Sequence, residues 1–163
     1  MPLQPAISDV EQLKHRPAVA VLQAASLVEA AKFDRDELTV YVNRADIRQA
    51  CETLRESPQT KFNFLADVTC VDVFPSEPRF EVIYHLLSHS RKERVRLIAK
   101  VPGGDPSIES LMGLWPSSNF FEREIFDLFG VRFLGHPNLR RIMMPEDWEG
   151  HPLRKDYPVE GYR

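Results

Sequence analysis

The sequence predicts an α+β fold: a mostly antiparallel sheet of about four to five strands packed with helices, followed by an extended proline-rich C-terminal arm. Three observations carry this. Phe80–Leu87 and Arg94–Val101 alternate apolar and polar residues with the period of a half-buried strand. Ile47, Ala50, Cys51 and Leu54 fall at helical spacing, as do Phe121, Ile125, Leu128 and Phe129. After Gly130 all periodicity stops, and Pro137, Pro145, Pro152 and Pro158 exclude a helix interior. Two units follow from this, a globular domain over 1–130 and a docking arm over 131–163.

From the N-terminus, Ser8 and Glu11 have capping-box spacing and predict a short helix. Pro17 suits the first turn of a second helix through Ala18–Ala25. Val28–Phe33 reads as a strand that turns at Asp34–Asp36 into Leu38–Val42. Asn43 is the expected cap of the Ile47 helix, with Asp46 near its positive end, and Pro58 stops it. Phe64–Phe74 is an apolar, β-branched strand with a bulge expected at Cys70–Val71. The polar link Ser88–Glu93 joins the next two strands in a hairpin. Ser107–Trp115 is read as a short helix ended by Pro116. A longer helix starts near Ser118–Asn119, with Glu122, Arg123, Glu124 and Asp127 as its polar face and Arg123–Asp127 at ion-pair spacing. Gly130 is its natural stop.

Composition narrows the function. A net charge of −3 argues against a protein held to nucleic acid by its overall field. No apolar run reaches the length of a membrane span, and Met1–Arg16 lacks the pattern of a signal peptide, so membrane contact is expected only through partners. The two cysteines, Cys51 and Cys70, lie far apart in apolar stretches. They read as buried thiols, with no spacing for an iron–sulfur cluster or structural zinc.

Candidate functional residues concentrate in the last third. His136 and His151 each sit in a Gly-His-Pro triplet; with Asp147 and Glu149 nearby they raise a metal or acid–base site, but a third ligand of recognisable spacing is missing. Both are therefore expected to hydrogen-bond backbone in tight turns. His85 and His89 are four apart on a strand, too far for one ion. Arg140-Arg141 and Arg154-Lys155 are balanced by Glu146, Asp147, Glu149 and Asp156. That balance disfavours phosphate-backbone binding and favours ion pairs across a protein interface. Trp148, Tyr157, Ile142, Met143, Met144 and Leu153 add the apolar and aromatic content that interface cores favour. No phosphate loop, catalytic triad or cysteine-nucleophile context is present.

The run from Glu122 to Pro158, 37 positions long, resembles the signature of the C subunit of NADH-quinone oxidoreductase, respiratory complex I. It reads Glu122-Arg123-Glu124-Ile125-Phe126-Asp127-Leu128-Phe129-Gly130, then Phe133-Leu134-Gly135-His136-Pro137-Asn138-Leu139-Arg140-Arg141-Ile142, then Pro145-Glu146-Asp147-Trp148-Glu149-Gly150-His151-Pro152-Leu153-Arg154-Lys155-Asp156-Tyr157-Pro158. Leu114-Trp115-Pro116 also fits, while Asn138 and Phe120-Phe121 depart mildly. The resemblance implies a peripheral-arm subunit, on the cytoplasmic face of the bacterial inner membrane, of a proton-translocating complex that passes electrons from NADH to quinone. It implies no cofactor in this chain, with FMN and iron–sulfur clusters in other subunits, and docking on the D subunit beside the B subunit. Glu122, Asp127, Gly130, His136, Arg140, Arg141, Trp148, His151, Arg154, Lys155, Asp156 and Tyr157 are the expected docking residues. The end at Arg163 suggests a separate C subunit, not a C–D fusion. Alternatives are the equivalent subunit of a ferredoxin-, deazaflavin- or hydrogenase-linked complex, or a metal-dependent enzyme built on His136 and His151.

Overall fold

A computed structural model describes residues 6–161 of the 163. Five strands form one sheet in the order β1-β2-β5-β4-β3: β1 (Ala30–Asp34), β2 (Glu37–Val42), β3 (Phe64–Asp72), β4 (Phe80–Ser88) and β5 (Glu93–Val101). Every neighbouring pair is antiparallel except β2–β5, which is parallel. The parallel pair places β5 between β2 and β4, so the two hairpins β1–β2 and β4–β5 merge into one sheet.

Local chemistry accounts for most elements. The β1–β2 turn is the two residues Arg35 and Asp36, both with positive φ (53° and 63°), which suits the right-handed twist of the hairpin. α1 (Val10–Leu13) is capped by Asp9, whose carboxylate accepts the Glu11 N–H at 2.9 Å, so the cap lies one residue after the expected Ser8. α2 (Pro17–Ala24) begins on Pro17 as expected. Asn43 accepts the Ala45 N–H at 3.0 Å and caps a 3-10 turn, Arg44–Asp46, that leads into α3 (Ile47–Glu56). The α3 stripe Ile47, Ala50, Cys51 and Leu54 is wholly buried.

The core lies between the helices and one sheet face. Val40, Val42, Val68, Val82, Tyr84, Leu86, Leu97 and Ala99 meet Leu13, Val19, Leu22 and the α3 stripe in one cluster. Cys51 and Cys70 are buried free thiols within it, each pushed well above the usual thiol range by burial. No helix among the described residues is long and apolar enough to cross a membrane.

Three sequence expectations are corrected. The bulge of β3 falls between Leu65 and Asp67, not at Cys70–Val71. Ser107–Trp115 is not a helix: Ser107–Glu109 is strand β6, paired in parallel with β7 (Arg132–Leu134). A non-local ladder outcompetes local propensity there, and only Leu111–Trp115 turns helically, through hydrogen bonds to the Leu111 carbonyl. The boundary at residue 130 also moves. Val131 and Phe133 are buried core residues, so the domain runs on through β7.

Tyr84 lies in the centre of this core with its hydroxyl buried and unpaired among the described residues. Tyr84→Phe removes an uncompensated desolvation penalty and is expected to leave stability unchanged or raise it by about 1 kcal/mol, read from chemical denaturation. Leu97→Ala, which opens a cavity at the same level, is expected to cost about 3 kcal/mol.

Candidate functional site

Helix α4 (Ser118–Phe129) is the platform of the site. The sequence made Glu122, Arg123, Glu124 and Asp127 its polar face, and that face is mostly covered: Glu122, Arg123 and Asp127 are buried, and only Glu124 is exposed. Nor does Arg123 pair with Asp127. Glu122 instead holds the turn after β6, and Arg123 and Asp127 together hold residues 140–144.

Glu122 accepts the Ser110 hydroxyl at 2.5 Å and the Leu111 N–H at 2.7 Å, fixing the turn after β6. Burial pushes its carboxyl above the usual range, against the pull of those donors. Arg123 donates to the carbonyls of Arg140 and Arg141, each at 3.2 Å. Asp127 accepts Arg141 Nη1 at 2.6 Å and the consecutive N–H groups of Ile142, Met143 and Met144 at 2.9, 2.7 and 2.9 Å. Burial opposes its charge, but the Met144 N–H, the Arg141 guanidinium and the other two N–H groups outweigh it and hold the carboxyl below the usual range.

The remaining ties run from the C-terminal segment to the end of α4 and to the sheet. His151 Nδ1 lies 2.9 Å from the Asp127 carbonyl, which can only accept, so this nitrogen carries the proton. Arg154 Nε donates to the Phe129 carbonyl at 2.6 Å, and its guanidinium lies 5.3 Å from the Phe80 ring centroid. Both side chains crowd Gly130, which caps α4 at φ +77°; a Cβ there would meet Arg154 Nη2 at 2.5 Å and His151 at 2.6 Å. Arg79 bridges Asp72, at 3.0 and 2.8 Å, and Asp156, at 2.9 and 2.6 Å. Asp72 also accepts the Lys155 N–H at 2.8 Å.

The segment after β7 therefore lies across its own domain as a strap, where the sequence suggested an arm extended over another surface. Most expected docking residues are committed inside it: Glu122, Asp127, Gly130, Arg141, His151, Arg154 and Asp156 all serve the fold. His136 accepts the Asn138 N–H at 3.0 Å in its own turn, and Tyr157 donates to the Glu149 carbonyl at 3.3 Å. Arg140, Trp148 and Lys155 are exposed. Exposed with Trp148 (40%) are Met143 (63%), Leu153 (50%) and Ile142 (38%), four large apolar side chains of the strap.

Asp72 and Arg79 were missed in the sequence, although a charged residue ending the apolar run of β3 was a usable signal for a buried ion pair. Among the described residues no group of three or more His, Cys, Asp or Glu side chains could hold a metal ion. The site offers fixed hydrogen bonds around buried carboxylates and exposed apolar side chains, an arrangement suited to contact.

The model of the family described as the respiratory-chain NADH dehydrogenase 30 Kd subunit matches residues 40–163, the strap included. This chain belongs to that family. A relative from Roseiflexus sp. (strain RS-1), the C subunit of an NADH-quinone oxidoreductase, is 50% identical over 82% of this chain and 76% of its own length. The corresponding C subunit of Geobacter sulfurreducens is 50% identical over 85% of this chain and 84% of its own. Two solved structures share the fold. A trypsin-resistant fragment (1-134) of Nqo5 superposes with a TM-score of 0.59 at 28% identity, covering 80% of this chain and 98% of the fragment. A chain of the membrane-bound sulfane sulfur reductase, an archaeal respiratory membrane complex, superposes with 0.72 at 25% identity over 91% and 85%. The chain is a complex I-type subunit of respiratory electron transport.

Three outcomes test the strap. Asp127→Ala takes the carboxylate from Arg141 and the acceptor from three N–H groups, and is expected to cost about 3 kcal/mol. Because the folded Asp127 carboxyl is held below its unfolded value of about 3.9, its contribution is full above that pH and is lost as pH falls through the lower folded value. Hydrogen exchange at Ile142–Met144, corrected for intrinsic rates, should show protection at pH 7 that persists to about pH 4 and is lost only below it, as pH falls through the lower folded value. Gly130→Ala, with both a left-handed φ and no room, should lower stability by about 2 kcal/mol or more and free the strap to proteolysis.

Proposed function

We propose that this chain is a peripheral-arm subunit, without a redox centre of its own, of a proton-translocating NADH:quinone oxidoreductase. It docks on the D subunit beside the B subunit, supports assembly of the quinone-reducing module, and meets the cytoplasmic face of the membrane only through the complex. FMN and iron–sulfur clusters belong to other subunits in this reading. One observation carries it: the strap turns two of its arginines, Arg141 and Arg154, inward onto Asp127 and the end of α4, and leaves Ile142, Met143, Trp148 and Leu153 exposed. Fixing a non-periodic segment in advance cuts the entropy lost on association, and exposed apolar side chains with Arg140 and Lys155 in the same segment have the make-up of an interface core. Arg141 and Arg154, part-buried against α4, position these side chains.

The sulfane sulfur reductase likeness favours a second reading, the equivalent subunit of a complex with a different electron donor. The donor binds elsewhere, so both readings share one docking surface.

Trp148→Ala and Met143→Glu, on exposed positions, are expected to leave this domain's folding intact. Each should reduce co-purification of the chain with membrane-bound complex, and NADH:quinone turnover, by about tenfold. Normal assembly and turnover in both variants would remove the docking role.

A further inference from the structure

A second feature lies away from the strap, largely in residues before the part matched by the family model. Four chain segments converge on a cavity of about 570 Å³: the α1–α2 junction (His15–Ala18), the β1–β2 hairpin, Phe62, and the β4–β5 turn. Its size falls within the range of small-molecule sites. The fixed cations Arg16, Lys92 and Arg94 line it, against the exposed carboxylate of Asp36 and the half-buried one of Glu93. None of these five enters an ion pair among the described residues.

Arg16 is the informative member. Its guanidinium stacks on Phe33, 3.6 Å from the ring centroid, and its Nε is buried with no hydrogen-bond partner among the described residues. That contact holds the guanidinium over the ring, and a guanidinium carries N–H donors of the kind that pair with phosphate oxygens. The start of α2 lies at the same wall, with Pro17 in its first turn and no side-chain cap, so the positive end of the helix adds to the field of the three cations. Leu38 and Phe62 give the cavity an apolar floor.

We propose that this cavity binds a phosphate-bearing ligand, its phosphate held by Arg16, Lys92 and Arg94 and its less polar part against Phe33 and Leu38. A soluble phosphorylated metabolite and an anionic phospholipid headgroup share this chemistry. The full-length chain is titrated calorimetrically at low salt with pyrophosphate and with ADP, and sedimented with phosphatidylcholine vesicles with and without phosphatidylglycerol. Saturable binding of ADP or pyrophosphate, weakened about tenfold by Lys92→Ala or Arg94→Ala and further by Arg16→Ala, supports a soluble ligand. Binding only to phosphatidylglycerol vesicles, with the same dependence, supports the headgroup. Lys92 is exposed on a turn, so its variant tests the site even if Arg16→Ala, which loses the Phe33 contact, folds poorly. Absence of binding by every probe, or binding that Lys92→Ala and Arg94→Ala leave unchanged, overturns the site.

Discussion

Asp127 is a fully buried carboxylate near the end of α4, and the first half of the C-terminal strap is organised around it. A chain without helix or strand must still satisfy its buried N–H and C=O groups. Three consecutive N–H groups, from Ile142 to Met144, find their acceptor on one Asp127 oxygen. The other oxygen takes Arg141, which then donates onward to the carbonyls of Trp148 and Gly150, at 2.8 and 3.0 Å. One charge thus organises a turn and, through one arginine, the next.

The same logic repeats at smaller scale. Glu122 holds the turn after β6, and Arg79 with Asp72 holds the last part of the strap. In each case a helix or strand presents a buried charge and irregular chain supplies the partner. Ions are costly to bury, and each here is offset by several hydrogen bonds. The arrangement gives position more than raw stability, which is what a prearranged contact surface requires.

Much of the domain was legible because its signals are local. The alternation of Phe80–Leu87 and Arg94–Val101, the α3 stripe and the Gly130 stop depend on residues within a few positions of one another. So do the Asn43 cap and the Pro17 helix start. What local pattern could not show was β6, whose existence requires β7 some twenty-five residues away. Nor could it show that β2 pairs with β5 in parallel, a neighbour brought in from more than fifty positions on.

The candidate site divides along the same line. The sequence by itself determined the family resemblance, the segment that carries it and that segment's richness in charge and aromatic surface. It misjudged their direction. On a helical wheel Glu122, Arg123 and Asp127 are polar and point to solvent, whereas in the fold they are buried under chain that arrives later. Arg141 and Arg154 read as outward charges and are turned inward on Asp127 and Phe129, while the exposed Asp156 reaches Arg79 from the surface. A polar residue's cost of burial depends on partners distant in sequence, so only the tertiary structure decides whether a charge faces water, its own chain or a partner.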